Sequence, residues 1–180
     1  LQYKLPSLIK EIILKIDPAR TKFDKVIDLG CGTGLSGADL QGISNYLTGI
    51  DISENMISKA NKLGVYDSLI AGDIVEKLDL SKEKYDLFIA LDVFIYIGEI
   101  TSMLNAVKKC ANKNSFFIFS IETLEGEGYS LLKSSRYAHS DSYILEVASN
   151  GFELVDFQNV KLRKEGNKWI DGKIYILKVS

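Results

Sequence analysis

Apolar residues at Leu5, Leu8, Ile9, Ile12, Ile13 and Ile16 recur three and four positions apart, a spacing that predicts an amphipathic helix. Pro6 fits its first turn and Pro18 stops it. Short apolar runs at 26–29, 48–51, 69–71, 85–91 and 115–121 then predict five strands. The fourth is almost continuously apolar, as expected of a strand covered on both faces of a parallel sheet. Helical patterns alternate with these runs. A short helix at 36–40 is closed by Gly42, and a helix at 54–63 has Ser53 as N-cap and Gly64 beyond its end. A third, at 99–110, is carried by Ile100, Met103, Leu104 and Val107.

The pattern changes after the fifth strand. Residues 122–141 are polar, and a stretch of that length in a compact domain is expected to be a functional loop or a disordered one. A helix at 142–148 ends near Asn150-Gly151, and 152–162 and 174–179 read as strands. The gap of 163–173 is too short for a crossover helix, so this last pair should be antiparallel. Strand–helix alternation followed by an antiparallel pair predicts one doubly wound α/β domain over 1–180. The helix within 1–20 caps it, and the 122–141 loop lies over its site.

The first strand breaks into Asp28-Leu29-Gly30-Cys31-Gly32-Thr33-Gly34. Glycine at every second position lets the backbone take φ > 0 and lie against a ligand. In doubly wound sheets ligands bind beyond the carboxyl ends of the strands. Asp51, Asp73 and Asp92 all follow strand ends too. Four strand-end features on one edge point to a nucleotide-type pocket. Asp51 either accepts from ribose hydroxyls or serves only as the entry to the next helix. Asp73 either bonds an adenine amino group or starts the next turn, and Asp92 either contacts the ligand or caps a loop. The overlapping Gly32-x-Gly34-x-x-Gly37 would by itself suggest a dinucleotide cofactor and an NAD(P)-dependent reductase. An acid inside the strand ahead of the glycines, and a final antiparallel pair, argue against that reading and for a methyl-donor cofactor.

Composition narrows the partners. A net charge of −2 and pI near 5.5 give no general attraction to nucleic acid or anionic membrane. The basic residues near the end (Lys161, Arg163, Lys164, Lys168, Lys173, Lys178) read as protected strand edges, or more sharply as a rim for an acidic substrate. Cys31 and Cys110 form no CxxC pair, which fits a reduced, cytoplasmic protein. With His139 as the one histidine, no metal site is expected. No apolar run approaches the roughly 20 residues of a membrane span, and no signal-peptide pattern opens the chain. Its start at Leu1 leaves room for an upstream segment.

Val26 to Gly34, with Gly49-Ile50-Asp51-Ile52-Ser53, resembles the class I S-adenosylmethionine-dependent methyltransferases over essentially the whole chain. The resemblance implies a three-layer Rossmann-like sheet of seven strands with a C-terminal antiparallel hairpin, and S-adenosyl-L-methionine as cofactor. It implies that Asp28, Gly30, Cys31, Gly32 and Gly34 hold the methionine part and Asp51 the ribose. Ile52 and Met56 would flank the adenine, Asp73 and Ile74 would lie at its edge, and Leu91 and Asp92 beneath the methionine. Asn112-Lys113-Asn114 departs from the Pro-Gly-Gly-like turn of many members, which touches loop geometry only. A narrower likeness is to methyltransferase domains fused to tetratricopeptide repeats in bacteria. It is carried by Leu1-x-Tyr3-x-x-Pro6, Asp92 to Gly98, Ser120-x-Glu122, Ser135 to Ser140 and Leu162-Arg163-x-x-Gly166; no such repeats occur in this chain.

On the acceptor side, His139 is the candidate general base by its ordinary pKa near 6.5, or else a loop histidine packed on Tyr137. Tyr96 is the second catalytic candidate. Tyr3, Arg136 and Arg163 are candidates for binding substrate, the arginines clamping a carboxylate or phosphate or else pairing with Glu122 or Glu165. Cys31 is not expected to act as a nucleophile. The methyl acceptor is expected to be a small molecule or a protein, with nucleic acid disfavoured by charge and by Leu91-Asp92-Val93-Phe94 standing where an Asn-Pro-Pro-Tyr-type motif would be. A non-catalytic scaffold of the same fold is the competing class.

Overall fold

The computed structural model describes residues 5–180, with side chains from residue 8 onward; Tyr3 lies outside the described residues. Helix α1 (Leu5–Ile16) leads to strand β1 (Phe23–Leu29), and the chain continues α2 (Gly37–Gln41), β2 (Ser44–Asp51), α3 (Glu54–Asn61) and β3 (Ser68–Ala71). Then follow α4 (Ile74–Leu80), β4 (Tyr85–Ala90), a 3-10 turn (Phe94–Tyr96), α5 (Thr101–Cys110) and β5 (Ala111–Glu122). The last part holds β6 (Tyr129–Leu131), β7 (Tyr137–His139), α6 (Asp141–Ala148), β8 (Phe152–Glu165) and β9 (Lys168–Val179).

The main sheet has seven strands in the order β3-β2-β1-β4-β5-β9-β8. The first five are parallel, and β9 pairs antiparallel with both β5 and β8. This is the doubly wound α/β sheet with a terminal antiparallel hairpin that the strand pattern predicts. Strand alternation builds a core on each face. Ile27, Leu29, Phe88, Phe117, Phe119 and Tyr175 meet α5 and α6 through Met103, Leu104, Val107 and Ile144. Val26, Leu47, Leu87, Ile89, Ile118 and Ile174 meet Ile9, Ile12 and Ile13 of α1. The predicted stripe of α1 therefore faces the sheet.

Three elements differ from expectation. The 122–141 stretch is not a plain loop, because β6 and β7 pair into a second, two-stranded sheet. Its aromatic side chains supply the packing: Tyr129 and Tyr137 close on Gly98, where an added Cβ would stand 2.7 Å from each ring. Helix α4 is short and carries Glu76, Lys77 and Asp79, which hides its periodicity. The final strands run well beyond their apolar centres. A bulge pairs Lys161 with Asp171 but Arg163 with Ile170, turning Arg163 onto the face that carries Glu122.

Candidate active site

Strand order reverses between β1 and β4, so a crevice opens at their carboxyl ends. The glycine turn fills that position. Gly30, Gly32 and Gly34 have φ of 72°, 55° and 88°, a region that costs other residues free energy. Each glycine has its own reason. A Cβ on Gly30 would stand 2.5 Å from Val93 Cγ2, so the turn is pressed onto the segment after β4. A Cβ on Gly32 would meet nothing within 4 Å. Gly32 therefore bares its backbone to open space.

Asp51, half-buried at the end of β2, clasps this turn. Its Oδ2 accepts from the Gly32 N–H and its Oδ1 from the Ser53 N–H, both at 2.9 Å. The N–H groups of Gly30 and Cys31 both donate to the Ile50 carbonyl, at 2.8 and 2.9 Å. Beside Asp51, Ile52 is 75% exposed, and Met56 and Leu35 are exposed too. Apolar side chains standing open next to a carboxylate and a bared turn fit a ligand with a flat apolar ring and a polar sugar.

Asp28 lies 2% exposed under the turn. Burial pushes its pKa up to about 7, the hydrogen bond from Tyr66 opposes that rise, and the nearby Asp51 charge adds to it. Burial, with help from Asp28 and Asp51, pushes the Cys31 thiol up to about 12. It stays protonated at neutral pH and is no nucleophile. Asp73 is the N-cap of α4, its Oδ1 accepting from the Glu76 N–H at 3.0 Å; Ile74, the first residue of that helix, packs against the core.

Leu91 is buried, and Asp92 turns the chain at φ 56° with its N–H donating to Ser120 Oγ at 2.8 Å. Around it lies a charge network. Arg163 donates through Nη2 to Glu122 Oε2 at 2.6 Å and through Nε to Glu165 Oε1 at 3.2 Å, and its Nη1 stands 3.7 Å from Asp92 Oδ1. Arg136 is ion-paired with Glu165. Both arginines are thus held by protein carboxylates, the pairing alternative to an anion clamp. Tyr96, on the 3-10 turn after β4, is 70% exposed.

His139 does not stand where a general base is needed. It has no exposed surface; its Nε2–H donates to the Gly98 carbonyl at 3.0 Å, and its ring stacks on Tyr143 at 6.0 Å. Burial pushes its pKa down, against the hydrogen bond to Gly98. The ring is a strut joining the β6–β7 hairpin to the segment after β4. Nor do Tyr129 and Lys133, spaced like a reductase tyrosine–lysine pair, share a helix face: one is on β6 and the other in the turn after it. Sequence reasoning named Glu122 only as an arginine partner and missed Val93 and Tyr66 as site residues. The glycines at 34, 37 and 49 signalled a bulky neighbour without saying which residue it is.

Residues 20–165 match the model of a methyltransferase domain family. The chain belongs to that family. Among curated relatives, this methyltransferase domain is 31% identical over 84 residues to the uncharacterized methyltransferase C70.08c of Schizosaccharomyces pombe, covering 46% of this chain and 32% of the relative. It is 34% identical over 84 residues to the 18S rRNA (guanine-N(7))-methyltransferase of Bos taurus, covering 47% and 28%. With the ubiquinone biosynthesis O-methyltransferase of Glaesserella parasuis it shares 22% over 116 residues, covering 60% and 49%. The chain therefore spans about a third to a half of the length of these relatives. Solved structures show the same fold. An S-adenosylmethionine-dependent methyltransferase from Clostridium acetobutylicum superposes with a TM-score of 0.77 at 19% identity, over 100% of this chain and 93% of that one. Magnesium protoporphyrin IX methyltransferase from Synechocystis, with bound S-adenosylhomocysteine, gives 0.76 at 19% identity over 99% and 83%. Among the described residues no helix is long and apolar enough to cross a membrane.

Proposed function

We propose that this methyltransferase domain binds S-adenosylmethionine over the turn at 30–34 and transfers its methyl group to a small-molecule acceptor in the cytoplasm. The observation that carries the reading is Gly32: a positive-φ backbone facing open space, clasped by the carboxylate of Asp51. The turn's main chain would hold the methionine part, Asp51 the ribose, and Ile52 and Met56 the faces of the adenine, with Asp73 and Ile74 at its edge. When bound, the cofactor supplies an electrophilic methyl on a sulfonium sulfur. The chain's contribution is then alignment, holding an acceptor atom within roughly 3–3.5 Å of that carbon. Leu91 and Asp92 would lie beneath the methionine part, and exposed Tyr96 would line the side from which an acceptor approaches. With His139 buried, Tyr96 is the remaining candidate for handling an acceptor proton.

The acceptor side sets three carboxylates, Asp92, Glu122 and Glu165, against two guanidinium groups, Arg136 and Arg163. That balance favours a neutral or cationic acceptor over a carboxylate or phosphate. Together with the net charge of −2, it favours a small molecule over RNA, although the relatives include an 18S rRNA methyltransferase as well as a ubiquinone biosynthesis O-methyltransferase. The finer likeness to repeat-fused bacterial domains belongs to the same proposal and adds no acceptor. Thermal unfolding with S-adenosylmethionine, S-adenosylhomocysteine and NADH tests the reading. Ligand at about 100 times its dissociation constant adds roughly 2.7 kcal/mol, several degrees for a chain of this size. The two adenosyl compounds should raise Tm and NADH should not. A rise with NADH alone favours the reductase, and no rise favours the scaffold.

A further inference from the structure

Tyr66 lies in the irregular segment between α3 and β3, outside every motif of the sequence. Its hydroxyl donates to Asp28 Oδ2 at 2.7 Å. Together with Leu63, Val65 and Leu69, its ring occupies the space that side chains would take at three glycines. A Cβ on Gly34 would stand 3.1 Å from the ring's Cε2, one on Gly37 2.7 Å from the same atom, and one on Gly49 3.0 Å from Cδ1. Gly34 closes the turn, Gly37 starts α2 and Gly49 lies in β2, so one ring is wedged among all three. The third glycine of the G-x-G-x-x-G spacing thus makes room for Tyr66 together with Val65, whose Cγ2 would stand 2.6 Å from that Cβ.

We propose that Tyr66 is a positioning residue of the cofactor site, its ring fixing the glycine turn and its hydroxyl keeping the Asp28 carboxylate beneath that turn available to a cationic ligand group. The proposal rests on the S-adenosylmethionine reading, whose amino-acid end carries an ammonium group. An ionised carboxylate buried this deeply is costly without a donor. Asp28 titrates near neutrality, at about 7, and of the groups its charge meets, Tyr66 favours the ionised form while Asp51 opposes it. Cys31, the other titratable group facing it, is neutral in this range. Losing the hydroxyl lifts the Asp28 pKa further. A rise of about one unit cuts the ionised fraction at pH 7 from about half to about a tenth.

The test is calorimetric titration of S-adenosylhomocysteine into wild type, Tyr66→Phe and Asp28→Asn from pH 5.5 to 8.5, with a Tm for each protein. Wild-type affinity should rise with pH through about 7. Tyr66→Phe should stay folded, bind about fivefold more weakly at pH 7 and recover above pH 8, while Asp28→Asn should bind weakly with a flat profile. Tyr66→Phe with wild-type affinity and a wild-type pH profile overturns the proposal. If wild type itself takes up no S-adenosylhomocysteine, the cofactor reading fails and the proposal with it, a failure visible without any variant. Should Tyr66→Phe unfold, the combined Tyr66→Phe, Asp28→Asn protein has no buried charge to satisfy. There phenylalanine should leave the profile where asparagine alone puts it, and a further pH-dependent loss of affinity contradicts the assignment.

Discussion

The Gly32 N–H and the Asp51 carboxylate are joined by a 2.9 Å hydrogen bond, so the acid that ends the second strand also holds the turn that follows the first. One carboxylate thus has two tasks. Asp51→Ala removes the acceptor of two backbone donors, Gly32 and Ser53, at a cost of about 1–3 kcal/mol. Chemical denaturation should show this loss in the free protein, before any ligand is added.

The glycines of the turn should respond differently to the same change. Gly30→Ala meets both a φ of 72° and Val93 Cγ2 at 2.5 Å, so a loss of several kcal/mol is expected, on the order of strain plus overpacking. Val93→Ala in the same chain should restore part of it. Gly32→Ala meets only the backbone penalty of about 1–2 kcal/mol, because its Cβ has open space. It should fold and yet lose ligand affinity, since that space is where the cofactor would lie. Paired denaturation and binding curves separate the two cases.

His139 carries a pH prediction with a definite sign. Burial holds its folded pKa below the ordinary value of 6.5, so the unfolded chain binds the extra proton first. The contribution to stability is therefore complete above pH 6.5 and is lost as pH falls from there toward the lower folded pKa. In His139→Asn this part of the acid destabilisation should vanish from Tm measured at pH 5 and 8. Once an acceptor is known, the pH profile of turnover should keep its shape in the variant.

Arg163 ties Glu122 and Glu165 and stands beside Asp92, with its side chain only 16% exposed. Arg163→Gln leaves carboxylates that lack their cation, and a loss of about 3–5 kcal/mol is expected for breaking so buried a pair. Chemical denaturation of the variant beside wild type at pH 7 measures the loss.

What the sequence made legible was local. Glycine spacing, an acid at each strand end and runs buried on both faces are set within a few residues, and they placed the turn at 30–34, Asp51 and the seven strands. What it hid depends on distant partners. Tyr66 reaches Asp28 across 38 positions, and neither residue advertises the other. His139 read either as a base or as a loop histidine packed on Tyr137, whereas Tyr129 and Tyr143 are the rings that meet it once β6 and β7 pair. Asp73 read equally well as a ligand contact or a turn residue, and only α4 assigns it the cap.

The central claim, a cofactor site built from the turn at 30–34 and Asp51, is tested most directly by calorimetric titration of S-adenosylhomocysteine into wild type and Asp51→Ala. The expected result is saturable one-to-one binding to wild type, displaced by S-adenosylmethionine, and at least tenfold weaker binding to the variant. No binding to wild type, or equal binding to a folded Asp51→Ala protein, would contradict it.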